Sequence, residues 1–283
     1  MVWPMPSVVT CRLWTLPGAP NGLATSSPLS FTVDPQPPYL VPHSREPIRL
    51  LYRDEHLLIV DKPTLLLSVP GRHPLNHDCL LNRLDRQYPG VSAVHRLDLD
   101  TSGVMVVPRT RAALSELARQ FQSRQIDKTY FARVAGYLSP DTGEITLPLT
   151  RDWPNRPKQK VCFTTGKSAV TRWRVVARED ESTVVELFPI TGRSHQLRIH
   201  LKEIGHPILG CDFYAPEEVL TASPRLLLHA TSIAFRHPIS GHKLTAHSPP
   251  RCIYAGAYQI IFRSALDALP YAPSCGGESC DFL

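Results

Sequence analysis

The stretch of this chain best equipped for chemistry is His95 to Gly103, HRLDLDTSG. It gathers an arginine, two carboxylates and two hydroxyls in a turn that ends in glycine, directly before the apolar run Val104 to Val107. A carboxylate on a loop that enters a strand is well placed to react, because the strand fixes the backbone while the loop faces a ligand. When ionised it can act as a nucleophile or stabilise positive charge that develops in a reaction, and Asp98 is the candidate for that work. Asp98, Asp100, Ser102 and Gly103 also fall on positions one, three, five and six of a calcium loop, but Arg109 stands at the twelfth, where a bidentate glutamate is required. Calcium is excluded on that ground. Turn capping by Asp and Thr explains the same residues equally well on composition alone.

The elements that must position this loop are mostly strands. Ile48 to Tyr52 and Leu57 to Val60 are apolar runs around the turn RDEH. Thr110 to Gln125 carries Leu114, Leu117, Ala118 and Phe121 at helical spacing, with Thr110 as N-cap. Thr129 to Leu138, Glu144 to Leu149, Ala169 to Ala177 and Thr183 to Pro189 are β-rich runs divided by turn residues, and Leu226 to Phe235 reads as a further strand. Ser194 is placed to cap a helix running to Gly205, with Leu197, Leu201 and Ile204 inward and His195, Arg198 and Lys202 as a basic stripe. Strand runs with a few interspersed helices specify an α+β domain on a mixed, mostly antiparallel sheet.

A chain of 283 residues with 42% hydrophobic composition can bury one sizeable core. The expected organisation is a proline-rich, disordered extension over 1–47, a catalytic domain over 48–250 and a tail of unknown role over 251–283. The extension holds ten of the 28 prolines and shows neither helical nor strand period. A net charge of +6 and a pI near 9.0 favour a polyanionic partner. No apolar run is long enough to span a bilayer. The seven cysteines are scattered and form no CxxC pair, which speaks against a disulfide framework or zinc ribbon and for a reducing cytoplasm.

HRLDxxTSG resembles the signature of the RluA-type pseudouridine synthases, and His95, Arg96, Leu97, Asp98, Thr101, Ser102 and Gly103 all match it. IVDKP (Ile59 to Pro63), KTY (Lys128 to Tyr130), GRSHQLRIH (Gly192 to His200) and LLHA (Leu227 to Ala230) follow in the family's order. The resemblance implies the pseudouridine synthase fold, a bisected sheet with the active cleft across its middle. It implies isomerisation of uridine in RNA without metal or cofactor: the C1′–N1 bond breaks, the uracil turns, and a C1′–C5 bond forms as the C5 proton leaves. By the same resemblance Asp98 is the essential carboxylate and Arg193 its ion-pair partner. Tyr130 stacks on the base and is a candidate to help remove the C5 proton, and Arg96 fills the gap left by the flipped nucleotide. His95 is expected to support the loop on the RNA side rather than to do acid–base work, with Leu228 and His229 lining or buttressing the pocket. Asp100 sits at a variable position of the pattern and is expected to point outward, since two buried carboxylates so close would resist joint ionisation.

Arg151 to Lys160, RDWPNRPKQK, interleaves Arg151, Arg156, Lys158 and Lys160 with Trp153, the composition of a loop that tracks phosphates and stacks a base. Arg198 joins these as a candidate RNA contact. The phrase DWPNRPKQKV resembles the same segment in the dual-specificity branch of the family, which implies an anticodon-loop uridine of tRNA and a hairpin uridine of 23S rRNA as targets. A basic helical module ahead of the first strand, the mark of other branches, is missing from the proline-rich start. The expected partner is therefore stem-loop RNA, bound by a monomer with no obligate protein partner. GKS at Gly166 to Ser168 lacks the earlier glycine of a phosphate loop, and GRSHQ lacks the last glycine of a nucleophile elbow. A non-catalytic RNA-binding protein is the rival reading, and a nucleoside hydrolase, which would release free uracil, is a third.

Overall fold

Ser102–Pro108 (β3) is buried at all seven positions, because it runs through the middle of a sheet with both faces covered. The computed structural model describes residues 40–42, 44–250 and 253, all within the compact unit Tyr39–Leu283. The expectations for 1–39 and for 251–283 other than Ile253 lie outside the described residues. Arg49–Arg53 (β1) and Leu57–Lys62 (β2) form the expected hairpin, and β2 lies antiparallel to β3. Leu80–Asp85 (α1) separates β2 from the reactive loop. Arg111–Gln122 (α2) follows β3, with the Thr110 hydroxyl accepting from the Ala113 amide at 3.3 Å as the N-cap.

The second half of the sheet is built from Asp127–Ala135 (β4), Thr142–Thr146 (β5), Val170–Arg178 (β8), Ser182–Pro189 (β9) and Leu228–Arg236 (β10). Leu149–Arg151 (β6) and Gln159–Val161 (β7) form a separate small hairpin, and Lys243–His247 (β11) pairs with β10. The sheet runs β1-β2-β3-β10-β4-β9-β8-β5, antiparallel except where β3 meets β10. The fold is therefore the expected α+β arrangement, a mixed and mostly antiparallel sheet. Gln196–Glu203 (α3) packs Leu197 and Leu201 against Ala132, Val185 and Leu187 on one face. Glu217–Thr221 (α4) is a short surface turn of helix. On the first half-sheet, α2 inserts Leu117 beside Ile59, Val104 and Val106, while α1 covers the opposite face with Leu80 and Leu84. Burying each of these aliphatic side chains is worth about 1.5–3 kcal/mol.

The parallel contact between β3 and β10 is short, His229 opposite Ser102 and Ala230 opposite Gly103. It joins the two half-sheets where the HRLD loop becomes a strand. Gly103 has φ +115°, and a Cβ there would stand 2.2 Å from the Ala230 carbonyl oxygen. No side chain fits between strands that close, so the glycine of the motif is a condition of joining the half-sheets.

Helix α3 departs from expectation at its start. The first helical residue is Gln196, and His195, not Ser194, occupies the cap with φ 54° and ψ 16° and no side-chain cap bond. The expected basic stripe does not exist: His195 and Arg198 are buried, and only Lys202 faces solvent. The helix is enclosed by β7, β8 and the 206–214 segment, a tertiary constraint that the 3.6-residue period cannot show. Among the described residues no helix is long and apolar enough to cross a membrane.

Gly205 provides an internal comparison, with φ +86° and nothing within 4 Å of the place a Cβ would take. Gly205→Ala should cost about 1 kcal/mol, the strain of left-handed backbone alone. Gly103→Ala adds a backbone clash and should cost at least about 3 kcal/mol more or prevent folding, read as urea or thermal unfolding of the two variants side by side.

Candidate active site

The segment after β2 holds the reactive loop by its backbone. Lys62, fully buried, donates its ammonium to the carbonyls of Pro63 at 2.9 Å, Leu66 at 2.7 Å and Leu99 at 3.2 Å. The Thr64 hydroxyl donates to the Asp100 carbonyl at 2.9 Å, and the Ser68 hydroxyl to the Leu97 carbonyl at 2.7 Å. Three side chains of one segment thus fix the carbonyls on either side of Asp98. Burial lowers the Lys62 pKa to about 7, against the pull of Asp100 and Asp98. From the other side His95 accepts the Val106 amide on Nε2 at 3.0 Å and lies 4.8 Å from the Phe121 ring. Burial, with the Lys128 charge adding, holds His95 down at about 3. His95 is a neutral strut whose Nε2 is committed to the backbone rather than to a phosphate.

Asp98 opens into a cavity of about 250 Å³ lined also by Tyr130, Arg193, His195, Arg198 and Leu228. A second cavity of about 530 Å³ adjoins it, sharing Arg96, Lys128, Tyr130 and Arg193. Tyr130 reaches both from β4, between Ala230 of β10 and Leu187 of β9. Burial, then the Asp98 charge, pushes its hydroxyl above the ordinary phenol range. Arg96 is exposed at the mouth and makes no hydrogen bond or ion pair among the described residues. Lys128 lines both cavities without such a partner, its pKa lowered by burial.

Three expectations about charge are corrected. Arg193 does not pair with Asp98: it is exposed, and its Nε donates to the Ser168 carbonyl at 3.1 Å. Among the described residues the ring nitrogen that faces Asp98, at 4.0 Å from Oδ1, is His195 Nε2. The buried guanidinium behind the cavity belongs instead to Arg198, which is no exposed RNA contact. Arg198 is 1% exposed, ion-paired with Asp212, 3.8 Å from Asp100, and donates Nε to Cys211 Sγ at 3.3 Å. Its faces lie 5.1 Å and 5.3 Å from the Phe213 and Tyr214 ring centroids. Asp100 does not point outward; it turns toward Arg198, and burial, then Asp212, raises its pKa.

The hairpin β6–β7 carries the basic segment. Arg156 sits 3.9 Å over the Trp153 ring and Arg151 5.7 Å from it, with Trp153 still 59% exposed. Lys160 contacts Asp152 at 3.3 Å, and Lys158 is partly exposed nearby. An aromatic face flanked by guanidiniums is suited to bases and phosphates.

A family model described as RNA pseudouridylate synthase matches residues 56–203, more than half of the chain. The chain belongs to that family. A curated relative from Yersinia pestis, "Dual-specificity RNA pseudouridine synthase RluA", is 55% identical over 193 residues, 68% of this chain and 94% of its own length. The protein of the same name from Escherichia coli strain K12 is 51% identical over 216 residues, 76% and 95% of the two chains. Among solved structures, human RNA pseudouridylate synthase domain containing 1 superposes with a TM-score of 0.61 at 26% identity, over 82% of this chain and 99% of that one. This chain is accordingly an RNA pseudouridine synthase, an isomerase, of the RluA type.

Within this synthase the structure brings Asp98, Tyr130, Arg96 and Arg193 to one cavity and holds Arg151, Trp153, Arg156, Lys158 and Lys160 on a separate hairpin. Leu228 lines the cavity, while His229 does not, its Nδ1 meeting Ser102 Oγ at 2.8 Å. Sequence reasoning missed Lys62, Lys128 and Tyr214. IVDKP and KTY flagged the first two as motif positions, but a lysine's burial is invisible until its neighbours are placed.

The difference between the two arginines is measurable as stability. Arg198→Met strands Asp212 and Asp100 and should cost about 3 kcal/mol, the low end for a broken buried pair because Asp212 reaches water. Arg193→Met, at the surface, should stay within about 0.5 kcal/mol by urea unfolding.

Proposed function

We propose that the Asp98 cavity receives a uridine flipped out of a stem-loop RNA, and that Asp98 performs the isomerisation as nucleophile or as stabiliser of the cationic sugar. The observation that carries this is the position of Asp98. It is a carboxylate fixed by its flanking carbonyls, one-fifth exposed, at the floor of a cavity whose walls offer an aromatic hydroxyl and a buried guanidinium. Arg198, rather than Arg193, is the buried cation of the cavity wall, held there by Asp212 and Asp100. Tyr130 serves as the stacking platform; with its hydroxyl pushed up by burial it is a poor acceptor for the C5 proton. Arg96, unpaired at the mouth among the described residues, is placed to fill the gap in the RNA stack, and Arg193 and Lys128 to meet phosphates beside it.

For the substrate we propose tRNA and 23S rRNA stem-loops. The support is the Trp153 hairpin, whose DWPNRPKQKV segment matches the dual-specificity pattern, together with the dual specificity named for the curated relatives. Recognition of a short stem-loop suits an enzyme that reads RNA shape and unstacked bases. A monomer is the proposed working unit, and the RNA substrates and scattered cysteines support the cytoplasm as its place.

With C5-tritiated tRNA and 23S stem-loop transcripts, the wild type should release tritium from both and Asp98→Asn from neither, while both proteins bind RNA with similar affinity. Tight binding without release by the wild type would instead favour a non-catalytic binding protein. Free uracil in the product would mark a hydrolase. Trp153→Ala should weaken RNA binding by about 1–3 kcal/mol in a filter assay with little change in the single-turnover rate at saturating enzyme.

A further inference from the structure

Tyr214 lies in the segment between α3 and α4, and its hydroxyl has two partners. It accepts the backbone N–H of Gln159, the first residue of β7, at 2.9 Å, and it lies 2.6 Å from Nδ1 of His195. Burial raises the Tyr214 pKa to about 12, so the phenol keeps its proton. The phenol's proton is free to be donated to His195 Nδ1, and we take the bond in that direction, which matches an imidazole with Nε2–H toward the Asp98 carboxylate. His195 is neutral, since burial lowers its pKa, the neighbouring Asp98 notwithstanding. A neutral imidazole that accepts on Nδ1 carries its proton on Nε2, and that atom faces Asp98 Oδ1 at 4.0 Å.

The backbone shows that this orientation is imposed. His195 is held at φ 54°, a left-handed conformation that a non-glycine residue adopts at a cost, and its ring is stacked at 17° against Phe213, 5.7 Å between centroids. Arg198 in turn lies over both Phe213 and Tyr214, closing the group.

We propose that His195 is a positioning residue for Asp98, presenting an Nε2–H to the carboxylate through a hydrogen-bond chain that begins in the backbone of the β6–β7 hairpin. The proposal rests on the reading of Asp98 as the reacting carboxylate. The gap of 4.0 Å is about 1 Å longer than a hydrogen bond, and a rotation of the Asp98 side chain on its fixed loop closes it. The contact then engages Oδ1 and leaves Oδ2 turned to the uridine. Because Gln159 follows directly on the basic segment Arg151 to Lys158, RNA seated on the hairpin and the carboxylate in the cavity share one chain of contacts: Gln159 amide, Tyr214 hydroxyl, His195 ring, Asp98.

The test compares single-turnover rate constants, RNA dissociation constants and unfolding midpoints for four variants on the C5-tritiated tRNA transcript. Tyr214→Phe removes one oxygen and should lower the single-turnover rate about tenfold, the worth of one orienting hydrogen bond, with the dissociation constant within about twofold of wild type. His195→Ala should lose at least as much. His195→Gln, whose amide can donate from the place of Nε2, should recover most of that loss, whereas His195→Asn, whose amide is one carbon shorter, should not. Wild-type rates in Tyr214→Phe, losses confined to the dissociation constant, or His195→Gln no better than His195→Ala would each overturn the proposal. Should His195→Ala fail to fold, Tyr214→Phe and His195→Gln against His195→Asn still decide. Asp98→Asn run alongside separates the two levels: its inactivity beside a fully active Tyr214→Phe removes only the role of His195, and its activity removes the reading on which that role depends.

Discussion

Everything in this synthase depends on the two-residue parallel contact of β3 with β10. An antiparallel sheet can be extended by hairpins, but joining two half-sheets edge to edge needs a non-local pairing, and here it is a short one. Two strands so close leave no room for a side chain, hence Gly103. They also bury polar groups that must be satisfied, and Ser102 does this. Its hydroxyl accepts from Arg225 at 2.7 Å and meets His229 Nδ1 at 2.8 Å, while His229 Nε2 reaches the Ser248 carbonyl at 3.1 Å. Burial holds His229 down at about 4, so the relay stays neutral at working pH. The seam is thereby stitched on its back face, and the loop that emerges from its front face is the HRLD loop.

The position of that loop makes the site a shared product of both halves. The first half-sheet supplies Asp98 and the clamp of Lys62, Thr64 and Ser68; the second supplies Tyr130, His195 and Arg198. A buried lysine and a buried arginine are costly, and each is retained with its donors spent on specific acceptors. Charge is in effect used as a rigid fastener: Lys62 fixes the loop's carbonyls, and Arg198 ties Asp100 and Asp212 to one side of the cavity. The two cations at the cavities that lack a partner among the described residues, Arg96 and Lys128, face open space where a polyanion can reach.

Much of this was legible in the residues. Alternation and β-branched runs located β1, β2, β4, β8, β9 and β10, and Thr110 marked the start of α2. The HRLD motif led to the cavity. Short elements were not legible: α1 and α4 are six and five residues long, too brief for a period, and β6, β7 and β11 exist through their partners. The error over the arginines has the same origin. Arg193 and Arg198 stand five residues apart in one motif, and spacing alone does not say which turns inward. The left-handed His195 decides it, by breaking the helix start one residue after Ser194 and aiming Arg198 into the fold. Asp100 follows from Arg198, for a buried guanidinium attracts the carboxylate that solvent would otherwise keep.

The separation of the hairpin from the cavity also bears on how such an enzyme discriminates. Trp153 and its arginines stand on a small two-stranded sheet outside the main one, so they can hold a stem-loop without moving the seam. Asp98, by contrast, is held through the carbonyls around it, which Lys62, Thr64 and Ser68 engage. Under the function proposed above, an RNA that binds the hairpin but cannot extrude a uridine occupies the protein without meeting Asp98 in a reactive arrangement. Selectivity then resides in the deformability of the RNA, the ease with which one nucleotide leaves its stack, as much as in contacts to any base. The small sheet nevertheless touches the cavity wall at one point, since Tyr214 accepts the Gln159 amide of β7 and meets the His195 ring, so hairpin and seam are separate sheets joined through a single hydroxyl.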